Sequence, residues 1–211
     1  PINPSDQGVM FGWSDISAAT SSGEGQNTVL TVPVPEQGMR VMKARVGQAL
    51  AVGNEGAGTV VATGNAELAK GLAGKVVAVM GGSMYAQYRV VNADACLPLL
   101  AGHTAKDGAS CFVNPLTALS MIETMKMEDH SALVHTAAAS NLGQMLVRIC
   151  QADGVELVNI VRKDEQVALL RDMGAKYVIN SSSDNFMAEL TDAIHATGAT
   201  LAFDATGGGT L

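Results

Sequence analysis

Between residues 131 and 205, short apolar runs alternate with longer segments whose apolar side chains recur every three or four positions. Residues 132–135 (Ala-Leu-Val-His) form an apolar run suited to a buried strand. The small residues Ala137, Ala138, Ala139 and Ser140 follow, and Asn141-Leu142-Gly143 then opens an amphipathic stretch that leads to a second apolar run over 155–161. Strand, small-residue turn, helix and strand make one βαβ unit. The alternation continues with a helix over 164–173 (Val167, Leu170 and Met173 on one face) and a strand over 176–180. A helix over 185–196 (Phe186, Leu190 and Ile194 at helical spacing) and a strand over 200–205 complete it. Four strands separated by three helices predict an α/β fold with a doubly wound parallel sheet.

Before residue 95 the texture changes. Candidate strands at 28–34, 40–46, 58–63, 76–80 and 85–91 are separated by turn signals such as Glu36-Gln37-Gly38 and Gly81-Gly82, and no helix-length amphipathic segment stands out. The amino half, residues 1–100, is therefore expected to be a small all-β domain, and residues 101–211 the parallel-sheet domain. Pro115 suits the first turn of a helix over 116–126 that leads into the βαβ unit, with Met121, Ile122, Met125 and Met127 as packing residues.

Composition narrows the function classes. In 211 residues, 47% hydrophobic and 16% charged side chains describe a globular core, and a net charge of −7 without a basic run argues against nucleic acid. Apolar stretches are broken well before the ~18 residues of a membrane span, and no basic segment followed by an apolar one opens the chain, so a cytoplasmic protein is expected. Cys96, Cys111 and Cys150 show no C-x-x-C, and His103, His130, His135 and His195 form no H-E-x-x-H, so no metal site is indicated. His135, at a strand end, reads as a hydrogen-bonded histidine of the core or rim.

The chemistry concentrates around the βαβ unit. Small residues let backbone approach a ligand, and the first N–H groups of a helix have no internal partners, so the entry at Asn141-Leu142-Gly143 suits a phosphate. Of the G-x-G-x-x-G fingerprint only Gly143 remains, and an ordinary crossover whose alanines allow tight helix–sheet packing is the structural alternative. After the second strand come Arg162-Lys163, where a site preferring NAD more often places an acidic group for the ribose hydroxyl. Two cations beside a helix start oppose its dipole unless an anion is near, and a ribose phosphate would supply that anion, which points to NADPH. Solvated charges at a strand end are the alternative. The run Gly207-Gly208-Gly209 follows the last strand and serves either as a cofactor contact or as a flexible turn.

Several strings, in order, resemble the medium-chain dehydrogenase/reductase superfamily. Asn3-Pro4-Ser5-Asp6 is similar to its N-P-x-D segment, Gly53-Asn54-Glu55-Gly56-Ala57-Gly58 to its G-H/N-E-x-x-G block, and Met84-Tyr85-Ala86-Gln87-Tyr88 to its aromatic-A-E-Y strand. Asn114-Pro115-Leu116-Thr117-Ala118 resembles the N-x-x-T-A helix start, and Phe203-Asp204-Ala205-Thr206-Gly207-Gly208 also matches. The resemblance implies a β-rich GroES-like domain followed by a Rossmann domain that is incomplete at its carboxyl end. It places Asn3 and Thr117 near the nicotinamide and its ribose, Asn141, Leu142 and Gly143 near the pyrophosphate, and Thr206 and Gly207 as further cofactor contacts.

Zinc-dependent members carry a histidine where Asn54 stands, and cysteines this chain lacks, so the match is to the zinc-independent quinone oxidoreductases and enoyl-thioester reductases. The enoyl branch places a tyrosine acid shortly after N-P-S-D. This chain has Phe11, Gly12 and Trp13 there, none of which can donate a phenolic proton, so the quinone-type reading leads and no catalytic group is assigned. Relatives have further strands before Asn3 and after Asp204, so uncovered edges and a homo-oligomer are expected. The expected activity is NADPH-dependent hydride transfer to a quinone, enone or related activated carbonyl compound, a small-molecule substrate with no nucleic acid or membrane partner. The rival is a truncated, non-catalytic remnant acting as a binding or structural module.

Overall fold

The computed structural model describes residues 1–206. The chain divides into two compact units, Pro1–Phe112 and Val113–Leu211, so residues 101–112 lie with the first.

The first unit is mixed rather than all-β. In chain order it contains α1 (Pro4–Met10), an exposed antiparallel hairpin of β1 (Thr20–Ser22) and β2 (Val29–Thr31), α2 (Glu36–Met42), β3 (Glu55–Thr59), α3 (Glu67–Lys70), β4 (Val76–Met80), β5 (Cys96–Pro98) and α4 (Ala105–Gly108). Strands β3, β4 and β5 form an antiparallel sheet in that order. Leu72, Val77 and Val79 form its small core.

Two expected strands are absent. Residues 40–46 complete α2 and continue as a 3₁₀ turn, because Pro35 and Glu36 start a helix and Arg40 closes an i,i+4 ion pair with Glu36 at 2.8 Å. Met, Lys, Ala and Arg in this stretch are good helix formers, so the apparent alternation loses to propensity. Residues 85–91 form no strand: Val90 is 97% exposed and Tyr88 is exposed too, while Val91 at the end of the run packs on the small core, so burial does not follow the alternation. The strand expected at 58–63 begins at Glu55, since its register runs from Glu55 opposite Met80 to Thr59 opposite Val76.

The second unit follows the predicted alternation closely. It comprises α5 (Val113–Met127), β6 (Ala132–His135), α6 (Asn141–Asp153), β7 (Glu156–Val161), α7 (Asp164–Asp172), β8 (Tyr177–Asn180), α8 (Phe186–Thr197) and β9 (Leu201–Phe203). All four strands are parallel, in the order β8-β7-β6-β9. Strands buried on both faces need cover on both, and the core divides accordingly. Ala118, Met121, Ile122 and Met125 of α5 join Leu146, Val147 and Cys150 of α6, Leu170 of α7 and Leu133 of β6 in one cluster. Val134, Val158, Ile160 and Ile179 pack with Leu190 and Ala193 of α8 in the other. Met127, expected to pack, is 82% exposed in the last turn of α5. Burial pushes the Cys150 thiol up to about 12, so it behaves as a small hydrophobe. Among the described residues no helix is long and apolar enough to cross a membrane.

Candidate functional site

From β6 the chain steps outward to β7 and β8, then returns to add β9 on the other side of β6. The order therefore reverses between β6 and β9. In open α/β sheets the crevice beyond the carboxyl ends of two such strands takes the ligand.

The connection from β6 to α6 is shaped to approach that crevice closely. Thr136 still donates its N–H to the Phe203 carbonyl at 3.2 Å, then Ala137 turns the chain with φ of +52°, and the Ala138 N–H returns to the Ile160 carbonyl at 3.1 Å. Ser140 caps α6, its hydroxyl accepting from the Gly143 N–H at 3.1 Å and its carbonyl from the Gln144 N–H at 2.9 Å. Those two bonds leave the N–H groups of Asn141 and Leu142 without a hydrogen-bond partner among the described residues. Gly143 is a different kind of participant. Its amide is already used, and a Cβ added to it would lie 2.2 Å from the Ala138 carbonyl oxygen, so only glycine lets the loop and helix close to this distance.

The opposite wall is the carboxyl end of β9. Oδ1 of Asp204 accepts from the Thr136 hydroxyl at 2.6 Å, from the Thr206 N–H at 3.0 Å and from the Thr206 hydroxyl at 2.7 Å. The Ala205 N–H donates to Thr136 Oγ1 at 2.8 Å. Thr206 thus stands at the crevice with the β6–α6 loop; Gly207 and the glycine run after it lie outside the described residues. Sequence reasoning passed over Thr136. The available signal was a hydroxyl between a buried strand and the alanine run, paired with the Asp204 string.

Arg162 and Lys163 follow β7, the strand beside β6, and both are exposed. Among the described residues neither side chain makes an ion pair. The helix dipole does not require a further anion beside them, because Asp164 and Glu165 occupy the first turn of α7 and supply the negative charge that its amino end favours. Asp164 is itself bound by Asn180 Nδ2 at 2.8 Å. The cations owe their availability to exposure, not to an unmet dipole.

Thr117 is exposed on α5, its hydroxyl donating back to the Val113 carbonyl at 2.6 Å, which leaves its oxygen able to accept. Asn3, in the first unit, is buried: Nδ2 donates to Glu55 Oε1 at 2.9 Å, and its backbone N–H donates to Asp6 Oδ2 at 2.8 Å. Two strings some fifty residues apart in the chain thereby meet, since Asp6 Oδ1 also accepts from the Asn54 N–H at 2.9 Å.

His135 is a core residue. Its Nε2 lies 2.8 Å from Asn159 Oδ1, and the Asn159 amide donates to the carbonyls of Leu157 and Tyr177, so the network assigns the proton to Nε2. Burial lowers its pKa, the bond to Asn159 opposing. Above about pH 6.5 the ring is neutral in folded and unfolded chains alike; below it the unfolded chain takes up the proton first, and stability is lost as pH falls toward the folded value. An NMR titration should therefore find the His135 ring neutral, with the proton on Nε2, at pH 6.5. An inflection at or above that pH would contradict the assignment.

The residues do not fit a zinc ion. Asn54 Nδ2 is bound to Ser5 Oγ at 2.8 Å, the Cys96 and Cys111 thiols donate to the Asn92 and Asp107 carbonyls, and Cys150 is in the core. Among the described residues no three His, Cys, Asp or Glu side chains form a metal-binding group.

Residues 142–211 match the family model described as zinc-binding dehydrogenase. Prostaglandin reductase-3 of Mus musculus is 30% identical over 61% of this chain and 34% of its own length. The mitochondrial enoyl-[acyl-carrier-protein] reductase of Xenopus tropicalis is 31% identical over 60% of this chain and 38% of its own. A Mesorhizobium loti crystal structure, described as a candidate NADPH:quinone reductase, superposes with a TM-score of 0.66 and 40% identity over 75% of this chain and 47% of that one. The chain thus spans about a third to a half of the length of these relatives. Its parallel sheet and its switch-point loop agree with these likenesses: the chain is similar, over part of their length, to quinone oxidoreductases and enoyl reductases, and its residues 142–211 match the zinc-binding dehydrogenase model.

Proposed function

We propose that the chain is the cofactor-binding part of an NADPH-dependent, zinc-independent reductase that acts on a quinone, an enone or a related activated carbonyl compound. The observation that carries this reading is the pair of unpartnered amides at Asn141 and Leu142, at the point where the strand order reverses. They hold the pyrophosphate, while Gly143 permits the close approach and leaves its own amide to Ser140. Arg162 and Lys163 take the ribose phosphate. Asn3, Thr117, Thr206 and Gly207 are further cofactor contacts on the family resemblance. The nicotinamide, when bound, supplies the hydride; the chain orients it and excludes water. The NADPH:quinone reductase name of the 40%-identical neighbour supports this cofactor and this substrate class. Enoyl-thioester reduction is the second reading, favoured by the Xenopus relative and disfavoured by Phe11, Gly12 and Trp13, which offer no phenolic acid.

Replacing Arg162 and Lys163 together with alanine should weaken NADPH about tenfold or more and leave NADH nearly unchanged, since only NADPH carries the extra phosphate. Calorimetric titration of both cofactors checks this. Equal losses would show that the pair contributes general charge attraction, and no nicotinamide binding to the unsubstituted chain would leave the remnant reading in place of the enzyme.

A further inference from the structure

The two strands that flank the crevice are joined at their carboxyl ends by one buried hydroxyl. The backbone ladder between β6 and β9 pairs His135 with Phe203 and gains one more bond, from the Thr136 N–H to the Phe203 carbonyl. At Ala137 the β6 chain turns away, its φ of +52° ending any continuation of the ladder. The Ala205 N–H on the other strand would then face no backbone acceptor. Thr136 Oγ1 takes that place, accepting from Ala205 at 2.8 Å while donating to Asp204 Oδ1 at 2.6 Å. The same carboxyl oxygen also holds the N–H and hydroxyl of Thr206. Thr136 is buried, so water does not readily replace its hydroxyl.

We infer that Thr136 is a positioning residue, a latch that fixes the end of β9 against the β6–α6 loop and so sets the crevice for the pyrophosphate and nicotinamide half of the cofactor. The inference rests on the nucleotide-binding reading above. It assigns no contact between Thr136 and the cofactor; the hydroxyl acts through Asp204, Ala205 and Thr206. The adenosine half, on the reading above, is recognised at the end of β7, on the other side of β6 from β9, and none of the bonds of the Thr136 hydroxyl runs to β7, so the two halves of one ligand should respond differently to its loss.

Valine is the near-isosteric replacement that removes both bonds, and serine is the one that keeps them. With Thr136→Val, NADPH should bind about tenfold more weakly. The fragment 2′-AMP, which carries the ribose phosphate but neither the 5′-phosphate nor the nicotinamide, should bind as it does to the unsubstituted chain, and Thr136→Ser should bind both ligands normally. Equal weakening of both ligands, or unchanged NADPH binding, overturns the latch. A failure of the valine variant to fold does not remove the test, because the same split must appear in the unsubstituted protein. There the amide signals of Thr136 and Ala205 should move on adding NADPH and stay in place on adding 2′-AMP; silence toward NADPH, or equal shifts with both, overturns the proposal. If neither ligand binds the unsubstituted chain, the nucleotide reading itself fails and the latch fails with it.

Discussion

Replacing Glu55 with alanine is expected to destabilise the first unit by about 2–5 kcal/mol, because each buried donor left without an acceptor costs about 1–3 kcal/mol. Glu55 is 1% exposed at the start of β3. Its two oxygens accept from different parts of the chain: Oε1 from Asn3 Nδ2 at 2.9 Å and Oε2 from the Phe112 N–H at 3.0 Å. Alanine removes both acceptors and leaves a void where the Glu55 side chain was buried. Glutamine fills the space but offers one acceptor oxygen, so Glu55→Gln should cost less than alanine and more than a surface change. Urea denaturation of the two variants measures this. An alanine variant within about 0.5 kcal/mol of the parent, the usual range for surface substitutions, would mean that the Asn3–Glu55 pairing contributes nothing to the fold.

The second large effect is expected at Gly143. A Cβ there meets the Ala138 carbonyl oxygen at 2.2 Å and the Ala138 carbonyl carbon at 2.6 Å, and neither atom can move without displacing the loop that carries the crevice. Overpacking against backbone costs at least the 1–3 kcal/mol typical of a crowded core, so Gly143→Ala should lose about 3 kcal/mol or more together with nucleotide binding. Gly154→Ala is the control. Gly154 caps α6 with φ of +69°, but nothing lies within 4 Å of its added Cβ, so only the left-handed backbone resists and about 1 kcal/mol is expected. Thermal unfolding of both variants separates steric conflict from backbone preference. Equal losses would remove the close-approach role assigned to Gly143.

The second unit was legible in the sequence because its strands are buried on both faces and its helices on one. Residues 132–135 read as a strand and are one, and the runs ending at Val161 and Asn180 misplace only their first residue. The first unit was not legible for the opposite reason. Its strands are three to five residues long, the hairpin of β1 and β2 is exposed throughout, and alternation without a core to face carries no information. Residues 40–46 show the consequence, since a helix start at Pro35-Glu36 decided their structure. At the candidate site, small-residue spacing pointed to Asn141, Leu142 and Gly143, but not to the different hydrogen bonding of their amides. Which amide is free depends on whether the Ser140 side chain turns back to cap, a choice the sequence permits without requiring. Thr136 was missed for a similar reason. Its partners Asp204 and Ala205 are nearly seventy residues away and meet it only once β9 has paired with β6.

The two unpartnered amides in the first turn of α6, those of Asn141 and Leu142, are proposed to hold the pyrophosphate of NADPH, and amide chemical shifts recorded during an NADPH titration test this most directly. Saturable binding is expected, in which the Asn141 and Leu142 amides move most and Gly143, already donating to Ser140, moves less. Binding that leaves Asn141 and Leu142 unmoved, or no saturable binding at all, would contradict it.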